Sequence, residues 1–480
     1  MRKNISFFSF RYVKIITLLI FATINLSAQQ KIYTLDEAIR QALANNKDIK
    51  ISSLDVNKAN AAVKEAFGYA LPSLDLSANL SHFFEKPKTP FPDFAAMFNN
   101  ATYSVLIKEG LVPDDPNVYE PVETKLQSFT PTNNYTTQLS LTQTLFSSAV
   151  FEGIGASKIY YNLSVAQLNN TVSKTVLDVQ KAFYGVILAK AVLDIAQASF
   201  DNAQENFDNV TKLYKEGMVS EFDKLQAEVQ LENIRPNVLQ MQNTLINSLN
   251  GLKIILGVDQ SQDIDVSAQI EFKPYNIPED QILIDEAIKN NFDITSLKLK
   301  SQVDEAFVQL DISEYWPTLA AFANYSYAGF SEKWDFQNYS SFTVGLNFRM
   351  NLWQGNRTKN AVQQSTITYK QTEEQLNLLK DAVTSDVKKR INELKRAQSL
   401  IEVQQNTVKV AQRAYEIADL RYTEGAGSQL ELHNADLELR NARLNLTQSV
   451  YSYMVSRFEL EQLLGRTNSE YLSTVNNEFK

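Results

Sequence analysis

The chain has 480 residues, no Cys, two His and a formal net charge of −9. Without Cys there are no disulfides, thiolate metal sites, thiolate catalysis or lipid-modified N-terminal Cys, and the acidic balance argues against nucleic acid, whose phosphates require a basic footprint. With 44% apolar residues, the composition supports a large folded protein.

Residues 1–28 read as a secretory signal peptide. Arg2, Lys3, Arg11 and Lys14 form a basic start, Ile15 to Leu26 an apolar run, and Ser27-Ala28 a cleavage site before Gln29. The run is shorter than the roughly 20 residues that a helix needs to cross a bilayer. Leu26 is larger than the residue usual at its place, and an uncleaved anchor is the alternative. Removal of 1–28 takes the charge from −9 to −13. No later apolar stretch reaches spanning length, so any membrane crossing must use β-strands.

The remainder divides into two tandem repeats, 29–265 and 266–465, and a tail, 466–480. Leu35-Asp36-Glu37-Ala38-Ile39 followed by Asn45-Asn46 recurs as Ile284-Asp285-Glu286-Ala287-Ile288 followed by Asn290-Asn291. Leu71-Pro72-Ser73-Leu74 recurs as Trp316-Pro317-Thr318-Leu319, and Leu145-Phe146 as Leu352-Trp353. Tyr214, Gly217, Ser220 and Gly257 recur at a constant offset of 208 as Tyr422, Gly425, Ser428 and Gly465. The halves differ mainly by an insertion, 85–134, which holds seven of the twelve prolines and reads as a long exposed loop.

Each repeat then gives, in order, a helix, two strands, a very long helix, a turn and another helix. In the first these lie at about 36–71, 73–84, 135–146, 147–217 and 220–256. In the second they lie at about 283–315, 318–328, 340–352, 355–425 and 428–464. Apolar residues recur at seven-residue steps along both long helices: Val179, Val186, Leu193, Phe200, Phe207 and Tyr214, then Val387, Leu394, Ile401, Val408, Tyr415 and Tyr422. Small seams accompany them, Ala189, Ala196 and Ala203 in one and Ala397, Ala411 and Ala418 in the other, as coiled-coil packing requires. A long helix of this kind spans about 100 Å, and the two flanking helices stacked end to end match it.

The strands alternate. Leu74, Leu76, Ala78 and Leu80 oppose Ser73, Asp75, Ser77 and Asn79; Phe342, Val344, Leu346, Phe348 and Met350 oppose Thr343, Gly345, Asn347 and Arg349. The strand at 318–328 is the weakest, because Phe322 falls on the less apolar parity. A soluble sheet packed on helices fits this pattern, but three features favour a membrane barrel. The strands run about eleven residues, near the roughly 9–11 that cross a bilayer at a tilt. Aromatics gather at both ends, among them Tyr315, Trp316 and Trp353 on the helix side and Phe83, Phe84, Trp334 and Tyr339 on the loop side, like interfacial girdles. The chain also reads as secreted. Four strands cannot close a barrel, so copies must combine: two give eight strands, three give twelve, and a conducting pore favours twelve.

This ordered set resembles the TolC-like outer-membrane factors from about Tyr33 to Gly465. It is carried by the duplicated plan, the Leu-Pro-Ser-Leu segment, the residues that follow each hairpin and the turns Tyr214-Lys215-Glu216-Gly217 and Tyr422-Thr423-Glu424-Gly425. The resemblance implies a mainly α fold with β-strands. Its long periplasmic helices form an α-barrel, and four strands per chain contribute to a trimeric twelve-stranded transmembrane β-barrel in the outer membrane. It implies a homotrimer in outer-membrane lipid, a periplasmic membrane-fusion adaptor and an inner-membrane transporter of RND or ABC type. The channel then conducts passively, as the exit duct of a tripartite efflux or type I secretion system.

Candidate sites follow. Gly217 and Gly425 end long helices, and Ser220 and Ser428 are N-caps with Asp223 and Glu431 as capping-box acids. Through the resemblance, the turns Gly217-Met218-Val219-Ser220 and Gly425-Ala426-Gly427-Ser428 contact the adaptor. Glu431 sits where the family places a carboxylate ring at the periplasmic constriction, with Asp223 a further candidate; Asn434 stands where a second acid is usual. A solvated capping acid is the plain alternative for Glu431. On the polar strand parity Asp75, Asn347 and Arg349 face the lumen, and Arg349 is in a position to pair with Asp75. His82 and His433 have no ligand-like neighbours, the run from Gly425 lacks a dinucleotide fingerprint, and neither an enzyme nor a cofactor is expected. A secreted coiled-coil structural or adhesive protein is the main rival; a stand-alone porin would not need such long helices.

Overall fold

The computed structural model describes residues 31–268 and 272–476; the signal segment 1–28 lies outside the described residues. In chain order the elements are β1 (Lys31–Tyr33), α1 (Leu35–Asn45), α2 (Lys47–Gly68), β2 (Ser73–His82), β3 (Thr89–Pro92), α3 (Phe94–Lys108), β4 (Thr124–Gln127) and β5 (Asn133–Ser147). Then follow α4 (Ser148–Lys215), α5 (Glu221–Leu256), β6 (Ile264–Val266), α6 (Asp280–Asn290), α7 (Phe292–Ile312), β7 (Thr318–Ser331) and β8 (Gln337–Arg349). The chain closes with α8 (Arg357–Thr423), α9 (Gln429–Leu463) and α10 (Ser469–Asn476). Among the described residues no helix is long and apolar enough to cross a membrane.

The fold divides into two compact units, each taken by itself. Among the described residues, the helical unit comprises those up to Val63, those between Gly155 and Val308 and those from Gln363 onward. Its cores repeat as the sequence does. In the first repeat Val179, Phe183 and Val186 of α4 are sealed against Ile39 of α1, Val56 of α2 and Leu252 of α5. In the second, Val387, Leu394 and Ile401 of α8 take the same place against Leu283 of α6 and Tyr453 and Leu460 of α9. The heptad positions grade alike in both halves. The first two in the first repeat and the first three in the second are fully buried, and those that follow, toward the turns, are buried only in part or exposed. Ala196 and Ala203 pack on Leu231, Ile234 and Val238 of α5, small residues admitting large ones.

The described part of the closing segment, 466–476, is more than a tail. Helix α10 and the residues before it are fastened to the first repeat: Tyr471 Oη donates to Asp36 Oδ1 at 2.7 Å, Arg40 meets Glu470 at 2.9 Å and, ahead of the helix, Thr467 Oγ1 donates to Ser173 Oγ at 2.8 Å.

The strand unit comprises Lys64–Ile154 and Gln309–Val362. Its main sheet has the order β2-β5-β7-β8, every neighbouring pair antiparallel. Register sets two faces. Leu76, Leu139, Tyr325 and Phe342 are cross-strand partners on one; Asp75, Ser140, Asn324 and Thr343 are partners on the other. The alternation breaks once. Leu145 is left unpaired at a bulge, and Phe146 pairs with Leu319 on the apolar side. Phe322, the residue of wrong parity, does lie on the polar face, opposite Gly345; a Cβ there would come within 2.7 Å of its ring.

The insertion at 85–134 departs from the exposed loop read from its prolines. It holds the ribbon β3-β4, helix α3 and a 3-10 turn at Pro116–Val118. Prolines tolerated at edge positions and at a helix start punctuate this small subdomain without unfolding it.

Candidate functional site

Two regions carry the predicted site residues: the sheet and the helical turns. In the sheet the apolar face is bare. Leu76 is 71% and Leu346 67% exposed, with Leu74, Leu80, Val344 and Phe348 similar. A row of this kind on a large sheet requires an apolar neighbour. The opposite face carries Asp75, Asn347 and Arg349 together, among Ser, Thr and Asn side chains. Within the chain Asp75 and Arg349 do not pair, contrary to the sequence expectation. They lie on β2 and β8, the two outer strands, with two strands between them. Each stands near the helix-joined end of its strand, Asp75 close after α2 and Arg349 shortly before α8.

At the turns, both long helices end in the same way. Gly217 and Gly425 have φ of 72°, a left-handed conformation open chiefly to glycine. Gly217 N donates to Tyr214 O and Met218 N to Leu213 O; Gly425 N donates to Tyr422 O and Ala426 N to Arg421 O. These are paired Schellman closures, which satisfy the last helix carbonyls. Gly427 passes close to the Arg421 backbone and Cβ. In the first turn Met218 and Phe222 are exposed, Val219 partly so.

The following helices are capped unequally. Ser220 Oγ accepts from Asp223 N at 3.2 Å while Asp223 Oδ2 accepts from Ser220 N at 3.0 Å, a complete capping box. Ser220 Oγ also donates to Asp223 Oδ2 at 2.7 Å, and this bond, with the one from Ser220 N, holds the Asp223 carboxyl below the usual range. Ser428 Oγ accepts from Glu431 N at 3.2 Å, but the Glu431 carboxylate does not return to Ser428. It turns instead to Arg421, 3.6 Å away, the two side chains 52% and 54% exposed. Glu431 is therefore a half cap and an ion-pair member, where the sequence suggested a full box. Asn434, one helix turn further along α9, is exposed.

Sequence reasoning missed a polar cluster behind the turns. A cavity of 570 Å³ between α5 and α9 is lined by Gln226, Gln230, Asn233 and Asn237 on one side and Gln429, His433 and Arg440 on the other. Both amide atoms of Gln429 and Nδ1 of His433 are buried there without a hydrogen-bond partner. Nearby, burial pushes the Asp436 carboxyl above its usual range, against the Asn202 amide at 3.4 Å and the charges of Arg440, His433 and Arg443. These residues sit three and four apart on two helices, and the facing of α5 on α9 that brings them together is not visible in either run of sequence.

The chain as a whole is similar to known proteins. A family profile described as outer membrane efflux protein matches residues 38–258 and 283–466. The outer membrane protein TolC of Escherichia coli strain K12 is 21% identical over 452 residues, 92% of this chain and 84% of that one. The TolC of Salmonella enteritidis is 21% identical over 352 residues, 72% of each chain. The CmeC outer membrane channel of Campylobacter jejuni superposes with a TM-score of 0.71 at 17% identity, covering 93% of this chain and 90% of that one.

Proposed function

Because the chain belongs to the outer membrane efflux protein family, we propose that three copies close their sheets into one twelve-stranded barrel in the outer membrane. The barrel is the exit of an efflux channel whose helical unit lies in the periplasm. One observation carries the reading: an antiparallel sheet of four strands whose outer edges are unpaired among the described residues, with one face bare and apolar and the other polar. In lipid an open edge leaves backbone groups without partners, and only closure removes it. Closure also brings β8 of one copy beside β2 of the next, so Arg349 and Asp75 of neighbouring copies approach across that seam.

The channel works passively, supplied by an inner-membrane transporter of RND or ABC type through a periplasmic adaptor. The turns at 217–220 and 425–428 are the adaptor's contact. Exposed Met218 and Phe222 give that contact an apolar element, and Glu431 contributes a carboxylate to the constriction. Among the described residues no group of His, Cys, Asp and Glu is arranged to hold a metal.

The test is fractionation of the native protein, followed by unheated gel mobility and single-channel recording. Outer-membrane recovery, a heat-sensitive trimer and a small cation-selective conductance are expected. Recovery as a soluble, non-conducting rod would return the chain to the structural or adhesive class.

A further inference from the structure

The insertion between β2 and β5 has a defined fold and an unused face. Ribbon β3-β4 runs from Thr89 opposite Gln127 to Pro92 opposite Thr124. The Phe91 ring stacks on Phe94 at 4.9 Å and meets Phe129 edge-on at 5.3 Å. Asp93 caps α3 through the amides of Ala95 and Ala96 and also pairs with Lys125. One side of α3 is then tied to the returning chain. Asn100 exchanges two bonds of 2.8 Å with the Glu120 backbone, and Tyr103 Oη donates to Pro113 O at 2.7 Å.

The opposite side is bare. Beyond Phe94, which belongs to the aromatic cluster, Phe98, Ala101 and Val105 follow one another at steps of three and four, the seam period of packed helices. Phe98 is 68% and Val105 59% exposed. The helix contains no acidic residue and a single basic one, Lys108, at its end. The second hairpin makes the same connection with the short segment between Ser331 and Gln337, so the sheet does not need the insertion.

The position of the insertion says what covers this face. β2 is an outer strand of the sheet, and the insertion leaves directly after it: Phe83 N donates to Thr132 O beside the last β2 pair, His82 with Asn133. In the trimer proposed above, the strand that completes β2 is β8 of the neighbouring copy. The insertion therefore rises from the seam between copies.

We propose that α3 is a second intersubunit contact, in which the Phe98-Ala101-Val105 stripe packs on the neighbouring copy beyond the membrane and reinforces the barrel seam. The occupant is another copy of this chain. A coiled-coil period suits a partner helix, and the neighbour is the surface that barrel closure brings there. This inference rests on the trimer reading.

The absence of Cys makes the test direct. Phe98→Cys and Val105→Cys, labelled on intact cells with a maleimide-benzophenone and irradiated, so that the thiol adds to the maleimide and the excited ketone inserts into a C–H bond of whatever it touches, should yield covalent dimers and trimers of the chain; Asn99→Cys, off the stripe, should not. The double substitution Phe98→Asp with Val105→Asp should lower by several degrees the temperature at which the trimer dissociates on a gel. Trimers that neither cross-link through the stripe nor lose heat stability would overturn the contact. Cross-linking to a different protein, or burial of a Val105→Cys label in lipid, would overturn it too. Failure of the wild-type chain to form any trimer would instead remove the channel reading, and this inference with it.

Discussion

Asn46 and Asn291 show how a residue can mark a repeat before its task is visible. The Asn-Asn pairs stand out in the sequence as landmarks only. In the structure Asn46 Oδ1 accepts from Asp48 N at 2.8 Å and Ile49 N at 3.2 Å, while its Nδ2 donates to Ile255 O at 2.9 Å. Asn291 repeats this with Asp293 N at 2.9 Å, Ile294 N at 3.1 Å and Leu463 O at 3.1 Å. One side chain starts a helix and holds the end of another. Gly257 and Gly465 complete the joint: both have left-handed backbones, and a Cβ on either would strike the carbonyl of Asn45 or Asn290. Asn46→Ala or Asn291→Ala should therefore cost about 1–3 kcal/mol, since buried amide and carbonyl groups lose their partners. Gly257→Ala should cost more than about 1 kcal/mol through strain and clash together. Thermal denaturation should show both losses, and an unchanged midpoint for all three variants would refute the joint. Asp436 predicts the opposite sign. Its folded pKa is raised by burial, so the charged form destabilises the fold above that pKa, and the cost fades as pH falls toward the ordinary carboxylate value. Asp436→Asn should then raise the melting temperature at neutral pH, with the advantage shrinking on acidification. An advantage constant with pH would mean that the charge is not its cause.

At the scale of elements, periodicity was informative wherever one face is packed within the chain. The seven-residue steps located the buried line of α4 and α8, and the constant offset of 208 aligned their turns because no insertion interrupts that stretch. The steps did not show that burial weakens toward the turns, which depends on what lies opposite. Leu394, fully buried, and Val410, 71% exposed, occupy the same helix. Leu394→Ala should cost about 2–5 kcal/mol, Val410→Ala little, and equal effects in urea denaturation would contradict the packing described. Period-two alternation likewise located the four strands, and it failed where a neighbour decides. Phe322 is tolerated on the polar face because Gly345 leaves room beneath its ring, a pairing across strands that no single run of residues displays. Elsewhere the fold departed from composition. Proline density suggested a loop at 85–134, yet an aromatic cluster and a capped helix organise it. The closing segment looked like a tail, yet α10 is bonded to residues more than 300 positions away. Short periods do not reveal contacts of that span.

For the whole molecule, the consequential residues are those that several copies bring together. Glu431 pairs with Arg421 at 3.6 Å, but both are about half exposed, and such a pair contributes roughly 0–1 kcal/mol and is screened by salt. It is therefore a weak latch rather than a structural tie. What it does control is charge. If three copies set this turn around one axis, each Glu431 adds a negative charge that Arg421 partly offsets, and like charges converging on a narrow passage favour cations. The two partners then predict opposite outcomes. Glu431→Ala should reduce the cation preference and Arg421→Ala should increase it. Asn434→Asp, one helix turn further along, should increase it again. The measurement is the reversal potential in a salt gradient across a planar bilayer, at low ionic strength where screening is least. Shifts of opposite sign for Glu431→Ala and Arg421→Ala would put these side chains at the constriction. Identical permeability ratios in all three variants and wild type would move the selectivity elsewhere, to the polar sheet face that carries Asp75 and Arg349, and would leave Glu431 as a capping acid.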